Sequence, residues 1–482
     1  MLARVRLAPL GKAAIVSVFA LGLASPRVAH AAGFATTRFG SDQGTPAMSN
    51  PYAVYFNPAA MGGMQGSQLV LDGTIALRSA EYTRFDSALS PSDPSTVGNP
   101  GYARSNTGTN ALVNVIAAPF VGFVTDAGQK NLRFGVAAYV PFGGAARWDQ
   151  NTVYNAGSST PGGLDGPQRW QAISGKQQSL YNTAAFAYRI PGPRLTLGAS
   201  ISIVASSLSA VRARNPDGSD DVFTPSGGLL EGRALVNVSG INLAASAGVF
   251  WEATEDSRLR FGLSYISQPG FGEMRMKGSF REQLGTVQEA AKPKDVDFLQ
   301  SLPDVVNLGM AYKMYPDLEL RADVVYERWS RLKQQCIVEP GAKCEVDSSG
   351  NDLTGGKIIA NFPRKWNDAF GVRAGAGYWV GSGGETEMFG SGNFGTPAIP
   401  HKTADPAYFD SYTLGFSVGV RHRITSHIYG AFSYNYVYYL PFDVKPGESQ
   451  LFKYQGPSRT PSADGSYSAQ LYFFNANLTF VF

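Results

Sequence analysis

The chain has 482 residues with 41 basic and 37 acidic side chains, 44% hydrophobic residues, 12% aromatics, 55 glycines and two cysteines. Charged residues make up only 16%, against about 25% in soluble domains. These figures exclude a disulfide scaffold, a disordered chain and a coiled coil. The net charge of +4 comes entirely from the first 31 residues, where Arg4, Arg6, Lys12 and Arg27 face no acid. The remainder is neutral, which excludes the cationic surface a nucleic-acid binder needs to displace counterions.

In chain order, Met1–Lys12 is a basic lead and 13–23 (AAIVSVFALGL) is an apolar stretch too short to span a bilayer. Ala29-His30-Ala31 is a small-x-small cleavage pattern. Together they predict a secretory signal peptide over 1–31, cut after Ala31. No later window offers the ~18 consecutive apolar residues of a transmembrane helix. An exported chain of this kind is a soluble protein or a β-barrel.

Residues 32–66 are rich in Gly, Ala and Ser and do not alternate. The run Tyr52-Ala53-Val54-Tyr55-Phe56-Asn57-Pro58-Ala59-Ala60-Met61 is nevertheless too apolar for a disordered tail. It predicts a plug, with Phe34, Phe56 and Met61 lining or blocking a lumenal pocket. Asn57 would cap the turn that Pro58 fixes.

From about Gln68 onward the hydrophobic period is two, the mark of strands with unlike faces. Leu318, Leu320, Ala322, Val324 and Tyr326 oppose Glu319, Arg321, Asp323 and Glu327, and 306–313, 412–421 and 472–482 behave alike. Short turns at 125–130, 190–193, 253–257, 314–317, 380–384 and 424–426 alternate with long connections near 84–109, 148–177, 215–228, 282–302, 333–357, 390–410 and 441–465. Strict alternation of six short and seven long connections predicts an all-β fold of 14 antiparallel strands. That is the pattern of an outer-membrane barrel over 67–482 with long outer loops. Lys313, Glu319, Arg321, Asp323 and Arg373 then face the interior, and the terminal Phe482 matches a signal read by barrel-assembly machinery.

Several short motifs, in this order, resemble the FadL/TodX family of outer-membrane transporters. They are Ala32-Gly33-Phe34, Asn57-Pro58-Ala59, Val140-Pro141-Phe142-Gly143-Gly144, 302–309 (LPDVVNLG), 322–329 (ADVVYERW) and Trp366-Asn367-Asp368. The resemblance implies a barrel closed by an N-terminal hatch over 32–66, with Phe34, Asn57, Pro58 and Ala59 as hatch and gating residues. It further implies capture of a hydrophobic molecule, long-chain fatty acids foremost, at the outer loops. The molecule would pass to a lumenal pocket and leave sideways through a gap at the third strand, where Pro141, Phe142, Gly143 and Gly144 lie. Pro removes a ladder donor and Gly tolerates unusual backbone angles, so pairing there should be weak. A porin for polar solutes is the alternative function.

In the outer loop at 282–302, Leu284, Val287, Ala290 and Ala291 recur at helical spacing, which predicts an amphipathic helix forming a capture groove. Cys336 and Cys344 lie in an outer loop, where a disulfide is the default for an exported protein, worth about 2–3 kcal/mol. His401, His422 and His427 are the only histidines beyond the leader. They form no metal set, and no Ser/His/Asp arrangement suggests catalysis. The sequence therefore calls for no cofactor, metal or catalytic residue. Its expected partners are the hydrophobic substrate, outer-membrane lipid and lipopolysaccharide, and the assembly machinery; nucleic acid is not among them.

Overall fold

The structure, a computed structural model, describes residues 35–36, 39–98, 100–151, 161–285, 291–381 and 383–482. The leader 1–31 with its cleavage site, Phe34, Val287 and Ala290 lie outside the described residues. Fourteen antiparallel strands form the barrel. They are β1 Ser67–Arg84, β2 Gly108–Thr125, β3 Leu132–Arg147, β4 Ser174–Ile190, β5 Leu195–Arg214, β6 Gly232–Glu252 and β7 Leu259–Ile266. The second half comprises β8 Val305–Tyr315, β9 Leu318–Glu327, β10 Ala369–Val380, β11 Thr386–Gly395, β12 Thr413–Arg423, β13 Ile428–Val444 and β14 Gly465–Val481. The last strand closes on the first through a continuous register from Gly465↔Arg84 to Val481↔Gln68. Ser67 and Phe482 finish the seam with two backbone hydrogen bonds of 3.3 and 2.9 Å.

The period-two pattern maps onto this cylinder. On β1 the residues Val70, Asp72, Thr74, Ala76, Arg78 and Ala80 are all buried inside, while their neighbours point out. The outer surface carries exposed aliphatics such as Val113, Ile201, Ile241, Leu308 and Val418, as lipid contact requires. Among the described residues no helix is long and apolar enough to cross a membrane.

Above the rim, the first half of β6 leaves β7 and pairs instead with Met274–Gln283, from Arg233↔Gln283 to Ser239↔Lys277. The sheet continues through Lys294–Gln300, Gln334–Val338 and Ile358–Pro363. Lys294–Gln300 forms seven ladder pairs with Met274–Gln283; of the helix expected around Leu284–Ala291, residues 286–290 lie outside the described residues. Cys336 and Cys344 are joined in this outer extension, their Cα atoms 6.1 Å apart.

Residues 39–66 fill the periplasmic half of the lumen with the short helix Ala53–Phe56 and the 3-10 segment Pro58–Gly63. Small inward residues on the barrel make room for it. A side chain at Gly248 would meet the Asn57 Oδ1 at 2.0 Å, and one at Gly198 would meet the Ala59 backbone N at 2.3 Å. Polar contacts complete the fit. Asp42 accepts from the hydroxyls of Ser391 and Ser417 at 2.7 and 2.8 Å, and the Gln43 amide donates to Glu387 at 3.1 Å. Arg373 donates to the carbonyls of Ser41 and Gly44 at 3.0 and 2.7 Å and pairs with Asp323 at 2.8 Å.

Two substitutions are expected to loosen this segment without opening the barrel. Gly248→Val overfills the Asn57 contact, at a cost of about 1–3 kcal/mol, and Asp42→Ala removes the carboxylate that accepts from the buried Ser417 and half-buried Ser391 hydroxyls, at a cost of about 1 kcal/mol. Both should raise ion conductance in planar bilayers and proteolysis within 39–66, with heat-modifiable mobility retained.

Candidate functional site

The first element of the site is a break in the ladder. β2 and β3 pair only from Phe120↔Tyr139 to Thr125↔Phe134, six rungs of an 18-residue strand. Beyond Tyr139 the two strands separate, while β2 stays paired to β1 along its whole length. Pro119 and Pro141 lie at this point, one on each strand, and neither can donate a ladder hydrogen bond. The register of β3 against β4 also slips between Tyr139 and Phe142, a bulge that bends β3 inward. The opening closes again at the top, where the Asp149 backbone N donates to the Ala111 carbonyl at 3.0 Å.

The last rung below the opening is gripped by the plugging segment. Phe39 lies 5.2 Å from Phe120 and 5.7 Å from Tyr139, and Tyr55 lies 5.0 Å from Tyr139, between ring centroids. Its leading residues reach further and fill part of the freed edge: Ala35 and Thr36 pair with Gly143 and Phe142. Pro141, Phe142, Gly143 and Gly144 therefore come together with the N-terminal segment at the opening.

Asn57 and Pro58 sit elsewhere, at the bottom. The Asn57 Oδ1 accepts from the Ala59 N–H at 3.1 Å, and its Nδ2 donates to the carbonyls of Pro46 and Val249, both at 3.0 Å. Every hydrogen bond of that amide is spent on holding the segment in place. Met61 packs toward Gly135 on the wall, and neither it nor Phe56 lines the two cavities described next.

One cavity, about 1030 Å³ including open water, lies behind the outer half of β3. Gly144 and Ala146 form one wall and Leu208, Val236, Phe280 and Phe298 much of the rest, with Arg212, Arg364, Asp405 and Tyr408 as its polar groups. Arg364 is neutralised by Asp405 at 2.7 Å. The outer extension, through Phe280, Phe298 and Ile337, roofs this space. Leu284 and Ala291, expected in a capture groove, do not line it; the Ala291 N–H is tied to the Gln283 side chain at 2.7 Å.

A second cavity of about 1130 Å³ lies across the lumen against β9–β14 and β1. Its wall includes Arg78, Trp329, Trp366, Phe409, Asp410 and Phe473. An aromatic row separates the two spaces, running Phe142–Trp329 at 6.2 Å, Trp329–Trp366 at 5.0 Å and Trp366–Tyr408 at 6.1 Å. Sequence reasoning expected a lumenal pocket without placing it; of its site residues only Gly144 lines either cavity.

Asp410, in the connection before β12, accepts from the backbone N–H groups of Ala398 and Ser411 at 2.8 and 2.9 Å. Desolvation outweighs these bonds and pushes its carboxyl up to about 7. Its proton is thus held more tightly folded than unfolded, so its contribution to stability is present below pH 4 and falls as pH rises to 7. The melting temperature of the wild type minus that of Asp410→Asn is expected to fall across that window and level off above it.

A closed 14-stranded barrel with an internal N-terminal plug and a side opening defines an outer-membrane channel protein. The Pseudomonas aeruginosa FadL homologue has a similar crystal structure, with a TM-score of 0.73 at 16% identity over 94% of this chain and 100% of that one. The Ralstonia pickettii toluene transporter TbuX gives 0.57 at 14% over 93% and 98%, and the Pseudomonas putida toluene transporter TodX gives 0.56 at 13% over 94% and 99%. No curated protein matches the chain in sequence. The family model described as "Outer membrane protein transport protein (OMPP1/FadL/TodX)" matches residues 27–480. The chain belongs to this family of outer-membrane β-barrel transport proteins.

Proposed function

We propose that the protein carries hydrophobic compounds, foremost long-chain fatty acids, from its outer loops into the cavity behind β3. The cargo then leaves sideways into the membrane between β2 and β3. The observation that supports this reading most is the coincidence of the broken ladder with that cavity, whose Gly144 and Ala146 wall lies on the freed half of β3. A continuous apolar route suits a greasy solute, whereas a porin for polar solutes would need the lumen that residues 39–66 occupy. The gate is the Ala35–Thr36 pairing on the freed edge of β3, two rungs that substrate can displace cheaply. Aromatic hydrocarbons are the other substrate class, since the similar structures include toluene transporters.

Uptake of radiolabelled oleate and of toluene by a transporter-null strain tests this. Expression of the chain should raise oleate uptake more than toluene uptake. Gly144→Trp, which fills the cavity from β3, should reduce uptake by roughly tenfold or more with the barrel intact. Equal uptake with and without the chain sinks the proposal.

A further inference from the structure

The outer halves of β3 to β6, continued by Met274–Gln283, form a sheet with two unlike faces. Ala146, Gly175, Ala210, Val236 and Phe280 stand side by side across its ladder and line the cavity behind β3. Faces alternate along a strand, so the neighbouring rows turn away from the lumen. One runs Arg147, Ser174, Val211, Leu235 and Arg281; the next carries Lys176, Ser209, Asn237 and Ser279. Lower on this same face, Ile201 and Ile203 of β5 and Ile241 and Leu243 of β6 are exposed and mark the lipid band. Asn237 lies four residues beyond Ile241, about 13 Å along the strand. With a tilt of about 40°, that places it roughly 10 Å above the band, at the depth of headgroups rather than acyl chains.

A trough of about 1090 Å³, open water included, lies over these outward rows. Arg147, Lys176 and Arg281 line it, and no carboxylate does; Lys176 borders the cavity behind β3 as well. Asp295, across the ladder from Ser279, stands outside the lining. Nearby cations are matched: Arg214 with Glu282 at 2.8 Å, Arg233 with Asp165 at 2.6 Å and Arg275 with Asp297 at 2.6 Å. Arg147 and Arg281 are exposed, and neither is in an ion pair among the described residues. Between them the floor is short and polar, with Ser174, Ser209, Asn237 and Ser279 offering hydroxyl and amide groups. Lys176 is the diagonal neighbour of Arg147, about 7–8 Å away between Cβ atoms, close enough to share one anion. Arg281 is four strand spacings from Arg147, about 19 Å, a gap that two long side chains shorten.

We infer that this trough binds the phosphorylated sugar headgroup of an outer-leaflet glycolipid. Arg147 and Lys176 hold one phosphate and Arg281 a second, with the sugars over the polar floor. A planar guanidinium takes phosphate oxygens with two parallel hydrogen bonds. A free phosphate or an acidic peptide would use the cations alone. The exposed isoleucines directly below them complement a phosphate that carries acyl chains. The sheet that seats the headgroup on its outer face walls the cavity behind β3 with its inner face. A bound glycolipid therefore braces that wall, including the freed end of β3, from the membrane side. The inference holds whatever cargo the cavity takes.

The test is native mass spectrometry of the detergent-solubilised full chain titrated with bisphosphorylated lipid A, with the same lipid A dephosphorylated, and with phosphatidylglycerol. The wild type should bind the bisphosphorylated form roughly tenfold or more tightly than the dephosphorylated one, as charge-assisted hydrogen bonds imply. It should bind phosphatidylglycerol more weakly than the bisphosphorylated form. The triple variant Arg147→Gln, Lys176→Gln, Arg281→Gln should lose most of the preference for phosphate. A control that removes the same charge from exposed outer loops, Lys343→Gln, Lys357→Gln, Lys445→Gln, should keep it. Equal wild-type affinity for the two forms of lipid A overturns the inference, as does an unchanged ratio in the trough variant. An equal loss in the control variant overturns it too, since net charge would then suffice, and so does phosphatidylglycerol binding as tight as lipid A. If heat-modifiability shows the triple variant unfolded, Arg147→Gln and Arg281→Gln singly decide, and unchanged ratios in both overturn it.

Discussion

Hydrocarbon offers a peptide group nothing to bond to, so each N–H and C=O inside a bilayer needs a partner from the protein itself. A sheet meets that demand only by closing, and closure governs the rest of this molecule. The seventeen rungs between β14 and β1 leave no free edge there. The missing rungs between β2 and β3 above Phe120 and Tyr139 are consequently a feature that the chain must manage. It does so locally. Two prolines remove donors, a bulge turns β3 into the lumen, and the N-terminal segment supplies a strand for part of the exposed edge. The ladder is given up there over a short stretch, framed below by the Phe120–Tyr139 rung and above by the Asp149–Ala111 hydrogen bond.

The plugging segment meets a different problem, that of a polar chain enclosed in a narrow space. Shape is met by glycines on the facing strands, and charge by Asp42, Gln43 and the lumenal pairs around Arg321 and Arg373. These contacts are dense at the periplasmic end and sparse near Ala35. The segment is therefore anchored at its base, through Asn57 and the ion network, and Ala35 and Thr36 pair with the freed edge of β3.

The two cavities divide the interior by chemistry. The space behind β3 pairs Arg364 with Asp405 and sets Arg212 and Lys176 beside a lining that includes Leu208, Val236, Phe280 and Phe298. The space across the aromatic row sets Arg78, Glu327, Asp410 and Asn393 beside Trp329 and Trp366.

Strand number, loop alternation and the inward-facing set were legible in the residues, because lipid on one side and a polar lumen on the other impose unlike faces on every strand. Glu319, Arg321, Asp323 and Arg373 read as lumenal from spacing alone. The proline and glycines of 140–144 marked weak pairing for an equally local reason. Not legible was anything assembled from distant segments. The sheet that extends above the rim, in which β6 pairs with Met274–Gln283 and that strand with Lys294–Gln300, left no trace in the local spacing. Sequence by itself determined the cylinder, because period and turn chemistry act between near neighbours. The opening and the cavities were decided by tertiary structure, because each depends on which strands fail to meet and on which distant segments close around the space.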